Sequence, residues 1–120
     1  MKAILIMVLA LVLIAGCSAP STQPATTTGQ LKQFTMTAKQ FAFDPAQITV
    51  NKGDKVKITI TSADVAHGFA LPDFGINQPI PAGQTVTVEF TAGKAGTFKY
   101  FCNVPCGPGH QEMAGTLTVV

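Results

Sequence analysis

Two stretches decide the fold class, Lys55-Val-Lys-Ile-Thr-Ile-Thr61 and Thr85-Val-Thr-Val-Glu-Phe90. In the first, Val56, Ile58 and Ile60 alternate with lysines and threonines; in the second, Val86, Val88 and Phe90 alternate with Thr85, Thr87 and Glu89. Successive side chains of a strand point to opposite faces, so this period of two puts one face on a core and the other in water. Phe34 to Met36, Ile48-Thr49-Val50, Thr97 to Phe101 and Thr116 to Val120 are shorter runs rich in β-branched and aromatic residues, which suit strands. Turn residues separate the runs at Asn51-Lys52-Gly53-Asp54, Pro81-Ala82-Gly83 and Gly93-Lys94-Ala95-Gly96. No stretch of this region has the apolar period of a long helix. Short strands at this spacing predict an all-β fold, a β-sandwich with Greek-key connections.

The whole chain has 120 residues, 47% hydrophobic and 12% charged, which leaves room for one globular domain and excludes a second. Its formal charge is +2, and +1 once Lys2 is removed with a leader, too little to grip a phosphate backbone; nucleic acid is not an expected partner. With no Trp, one Tyr and eight Phe, the core must be built from Phe and aliphatic residues. Three cysteines cannot all be used by one internal disulfide.

The N-terminus gives the odd cysteine a role. After Met1-Lys2, Ala3 to Ala15 form an apolar run of thirteen residues, short of the roughly 20 that cross a bilayer as a helix and suited to a signal peptide. Ile14-Ala15-Gly16-Cys17 resembles the lipobox at which bacterial lipoproteins are cut and acylated. Residues 1–16 are thus expected to be a lipoprotein signal peptide and Cys17 the lipidated first residue; an ordinary secretory leader and a short uncleaved anchor are the alternatives. Each puts the remainder outside the cytoplasm, where thiols persist if paired, metallated or buried. Residues 17–30, rich in Ser, Thr, Pro and Ala, read as a flexible tether, which leaves 31–120 for the domain.

Chemistry concentrates in Cys102-Asn-Val-Pro-Cys106-Gly-Pro-Gly-His110-Gln-Glu-Met113, between the strand that ends at Phe101 and the one that starts near Gly115. Two thiols, an imidazole and a thioether form a soft donor set that suits copper better than calcium or magnesium, which take oxygen donors. His67, the other histidine, follows the Val56 to Thr61 strand, where a sandwich can bring a loop end beside the 102–113 segment. Three plainer readings compete. Cys102 and Cys106 can close a disulfide, His110 and Met113 taken singly are ordinary surface and core residues, and two Cys with two His can hold zinc. The spacing Cys-x3-Cys-x3-His-x2-Met favours copper over these, and the second cysteine has no place in a mononuclear blue-copper site.

This motif with His67 upstream resembles the binuclear copper A (CuA) centre of cytochrome c oxidase subunit II, also found in nitrous oxide reductase. Met113 to Val120 is similar to that family's closing strand, and Phe43 to Asp54 to its opening strand and turn; the resemblance covers about residues 33–120. It implies a cupredoxin-type sandwich in which the Cys102 and Cys106 thiolates bridge two copper ions. His67 and His110 would bind one ion each, with Met113 and the Val104 carbonyl as weak axial ligands. No open coordination position is implied, so relay of electrons is expected and no catalysis from the isolated chain. The chain departs from subunit II in lacking its spanning helices, in carrying Val104 where many relatives have an acid or amide, and in having no Trp; Tyr100, Phe101, Phe69 and Phe74 are the aromatic residues available for electron entry. Its acids Asp44, Asp54, Asp64, Asp73, Glu89 and Glu112 form no run for docking a basic cytochrome.

The resemblance leads to an electron-transfer protein on the extracytoplasmic face of a bacterial membrane, held by lipid on Cys17. It would exchange single electrons with a c-type cytochrome or serve subunit I of a terminal oxidase as its electron-entry subunit. Copper storage or delivery for oxidase assembly uses the same ligands but needs the metal to leave, and a sensor or structural lipoprotein is the third class.

Overall fold

The computed structural model describes residue 16 and residues 29–120. Apart from Gly16, the expected signal peptide lies outside the described residues, as do Cys17 and all but the end of the 17–30 tether. Nine strands follow in chain order: β1 (Leu31–Lys39), β2 (Ala42–Asp44), β3 (Gln47–Val50), β4 (Lys55–Ser62), β5 (His67–Leu71), β6 (Ile76–Ile80), β7 (Thr85–Thr91), β8 (Gly96–Phe101) and β9 (Ala114–Val119). They form a four-stranded sheet, β2-β1-β4-β7, and a five-stranded sheet, β3-β9-β8-β5-β6. The expected all-β sandwich is present, with mixed sheets: β1 runs parallel to β4 and β3 parallel to β9, and the other pairs are antiparallel.

The alternation read in the sequence is the alternation of burial. Val56, Ile58 and Ile60 of β4 are buried and stand opposite Phe90, Val88 and Val86 of β7, while Met36 of β1 lies beside Ile60. Leu117 and Val119 supply the equivalent face of β9. One core joins these to Phe43, Ile48, Val50, Phe69 and Tyr100, and each such side chain contributes about 1.5–3 kcal/mol by leaving water.

Three strands carry no such signal. All five residues of β5 are buried, because it lies inside its sheet between β8 and β6 and its second face is covered by the segment after β8. A side chain at Gly68 would run into Asn103. A strand covered on both faces does not alternate. His67, expected at a loop end, is therefore the first residue of β5. Strand β6 contains Pro79 and pairs only with β5 at the sheet edge, where a missing N–H is tolerated. Strand β2 is three residues long, too short for a periodic pattern.

In the core beside β8, Phe43, Phe69 and Tyr100 pack with ring centroids 5.1–5.7 Å apart. The buried Tyr100 hydroxyl donates to the Pro45 carbonyl at 3.1 Å. Its cross-strand partner is Gly115, where any side chain would enter the Tyr100 ring. The helical segments among the described residues are two 3-10 turns, Pro72–Phe74 and His110–Glu112. None is long and apolar enough to cross a membrane.

Candidate metal centre

The loop from Cys102 to Met113 leaves and re-enters one sheet at one point, since the Cys102 N–H donates to the Met113 carbonyl at 3.0 Å. Within it, the amides of His110, Glu112 and Met113 donate to the carbonyls of Gly107, Gly109 and His110, which winds the C-terminal half into tight turns. Gly107 makes the first of these bends at φ +138°. A side chain there would meet the Phe41 ring, as it would at Gly109. Glycine is needed at Gly107 for its dihedral and at both positions for room.

These turns aim the donors at one place. The Cys102 and Cys106 sulfurs are 3.8 Å apart. The Cys102 sulfur lies 4.0 Å from His67 Nδ1, and its thiol donates to the Val104 carbonyl at 3.1 Å. The Cys106 sulfur lies 3.6 Å from His110 Nδ1 and 3.8 Å from Met113 Sδ. All six predicted ligand groups thus meet in one cluster with the sulfur pair at its centre. The two thiols are free, their separation far beyond the roughly 2.05 Å of a disulfide bond. Cys102, Cys106, Met113 and His67 are buried, while His110 and Val104 are half-buried and bring the cluster to the surface.

A group the sequence reading had placed only among scattered acids supports the cluster from behind. Asp64 Oδ1 lies 2.6 Å from His67 Nε2, and its other oxygen accepts the Gln40 backbone N–H at 2.8 Å. With Nε2 turned to a carboxylate, Nδ1 is the ring nitrogen that faces the sulfurs, the arrangement that suits a ligating imidazole. The Gln40 backbone N–H, followed by the His67 ring, holds the Asp64 carboxyl below its ordinary value. Burial, reinforced by the adjacent Cys102 thiol, pushes the Cys106 thiol up to about 11, so its proton is held until a cation offsets the cost of a buried thiolate.

The donor set fits copper. His67 Nδ1, Cys102 Sγ and Cys106 Sγ lie within 4.8 Å of one another, all soft or borderline donors, and no carboxylate oxygen enters the cluster. Two shallow depressions of the surface lie elsewhere, one along Phe98, Lys99 and Gly115 and one along Leu31, Lys55 and Phe90.

The chain has relatives among known proteins. A family profile described as a cupredoxin-like domain matches residues 4–119. Subunit 2 of cytochrome c oxidase from Thermus thermophilus is 39% identical over 89 residues, 72% of this chain and 66% of the subunit. Nitrous-oxide reductase of Stutzerimonas stutzeri is 38% identical over 88 residues, 70% of this chain and 14% of the enzyme. The chain thus spans under two thirds of either relative. Among solved structures, the periplasmic domain of cytochrome oxidase subunit II from Bradyrhizobium japonicum superposes with a TM-score of 0.67 at 25% identity, covering 73% of this chain and 83% of that domain. Auracyanin A of Chloroflexus aurantiacus, a blue copper protein, gives 0.61 at 25% identity, covering 75% and 99%. This chain belongs to the cupredoxin-like domain family and is related within it to cytochrome c oxidase subunit II and nitrous-oxide reductase.

Proposed function

We propose that this protein is an extracytoplasmic electron-transfer cupredoxin whose Cys102, Cys106, His67, His110, Met113 and Val104 carbonyl hold two copper ions as a CuA-type centre. The observation that carries the proposal is the pair of free buried sulfurs 3.8 Å apart with an imidazole beside each, which gives every thiol a place that a one-copper site denies to one of them. Copper held there would supply a one-electron couple. The chain's own residues keep that couple easy to cycle: the Cys102 to Met113 backbone bond fixes the loop ends, Asp64 orients His67, and the loop's turns fix Cys106, His110 and Met113. Donors that keep their positions in both charge states lower the rearrangement that accompanies each electron. His110, half-buried at the surface, is the side of the cluster that a partner can approach.

A lipid on Cys17 and the 17–30 tether would hold the domain at the extracytoplasmic face of the membrane. A c-type cytochrome, or subunit I of a terminal oxidase, is the partner class that fits. Copper-loaded protein should carry two copper ions per chain by elemental analysis and show the purple of thiolate-to-copper charge transfer. One copper with a single intense blue band, or stoichiometric zinc without colour, would reject the binuclear assignment. Mixing the holoprotein with a c-type cytochrome of opposite oxidation state should give fast electron exchange with copper retained. Slow exchange with prompt transfer of copper to an apo-oxidase domain would favour delivery. Radioactive palmitate should label the wild type and not Cys17→Ser.

A further inference from the structure

Gln40 sits in the turn between β1 and β2, in the four-stranded sheet, yet both of its amide groups reach the sulfur cluster. Its backbone N–H donates to Asp64 Oδ2 at 2.8 Å, and the other oxygen of that carboxylate holds His67 Nε2 at 2.6 Å. Its side-chain Nε2 donates to the Cys106 carbonyl at 2.6 Å across 66 residues of sequence. The approach needs a glycine next to Cys106, since a side chain at Gly107 would come 3.0 Å from Gln40 Nε2 and 2.9 Å from the Phe41 ring. One residue of the opposite sheet thus fastens the imidazole side of the cluster through Asp64 and the thiol side through the Cys106 peptide.

We infer that Gln40 is a positioning residue for the metal centre, a bracket that fixes the Cys106 peptide relative to the Asp64–His67 pair. The inference rests on the metal reading above. Cys106 and His110 lie on a loop whose Pro105, Gly107 and Pro108 are exposed and which has only three buried residues. A hydrogen bond to its backbone from the far sheet therefore adds a directional restraint to the core contacts that Cys106 itself makes. The side-chain bond and the backbone bond separate cleanly by mutation, because a side-chain substitution leaves the Gln40 N–H in place.

The test compares Gln40→Ala and Gln40→Glu with wild type in the full chain. The glutamate matches the glutamine in size and offers no N–H to the Cys106 carbonyl. Both variants should lose copper to a competing chelator about tenfold faster, the scale of outer-shell effects on metal sites, and both should shift the midpoint potential in the same direction. In the metal-free protein, hydrogen exchange at the His110 amide, which donates to Gly107 within the loop, should speed up while β4 amides keep their wild-type protection. Wild-type copper loss, potential and exchange in both variants would overturn the inference, as would faster exchange spread equally over β4, which would make Gln40 a support of the fold alone. If wild-type protein fails to hold copper, the metal reading falls; unchanged exchange at His110 in the metal-free variants would separately dismiss the bracket.

Discussion

Between Lys55 and Ser62 every second side chain is buried against the core, whereas from Cys102 to Met113 only Cys102, Cys106 and Met113 are buried. The strand β4 shares its stability among many apolar contacts, none of which selects a ligand. The loop is placed by few contacts, most of them single hydrogen bonds, and each bears on the position of a donor atom. Most of the stability and most of the chemistry are therefore carried by different residues, with Cys102, Cys106 and Met113 in both sets, so substitutions in β4 should leave the chemistry largely intact.

The sharpest break should come from Cys102→Ser or Cys106→Ser. Each removes one of the two central sulfurs and should abolish the charge-transfer spectrum, while far-ultraviolet circular dichroism stays that of the wild type. Loss of the β signal in these variants would mean that the loop supports the fold as well as the chemistry.

Ile60→Ala probes the other side. Ile60 is fully buried between the sheets, and its truncation should cost about 2–5 kcal/mol in chemical denaturation. Folded Ile60→Ala protein should still bind copper with wild-type stoichiometry and colour; a changed spectrum would show that the core feeds into the donor geometry.

Tyr100 joins the two regions, lying in the core two residues before Cys102. Burial raises its hydroxyl to about 12 from the ordinary 10. The folded state then keeps a proton that the unfolded chain loses, so this stability is complete below pH 10 and falls as pH rises from 10 towards 12, by about 1.4 kcal/mol per pH unit. Denaturation of the metal-free protein against pH should show this fall, and Tyr100→Phe should flatten it. An equal alkaline fall in Tyr100→Phe would assign it to other groups.

The smallest effect is expected at Met113→Leu. The side chain stays apolar and buried, and a weak thioether donor is lost. Copper should stay bound with both thiolate bands present, and the potential should rise. Inability to hold copper would make Met113 a principal ligand.

What the sequence disclosed follows the same division. β4, β7 and β9 were legible because one of their faces meets water and the other the core, which writes a period of two into the residues. The strand β5, which carries His67, was not, because the Asn103 segment covers the face that would otherwise be polar. The spacing Cys-x3-Cys-x3-His-x2-Met in 102–113 is local and stands in the sequence directly, and the structure brings those side chains together. Asp64 stands three residues before His67, a near neighbour that could have been suspected as its partner. Gln40 had no local signal, since its contact with Cys106 exists only after the two sheets close.

Strand β9 follows the Cys102 to Met113 loop in the chain and joins β3 to β8 in the sheet. The segment that carries Cys102, Cys106, His110 and Met113 is thus the connection between two paired strands of one sheet, with Phe101 opposite Ala114. His67 and Asp64, by contrast, are neighbours in the chain as well as in space, three residues and 2.6 Å apart. Four of the candidate donor side chains are spliced into one hairpin, so a slip of the β8–β9 register would displace all four together, while the His67 imidazole would stay with its carboxylate.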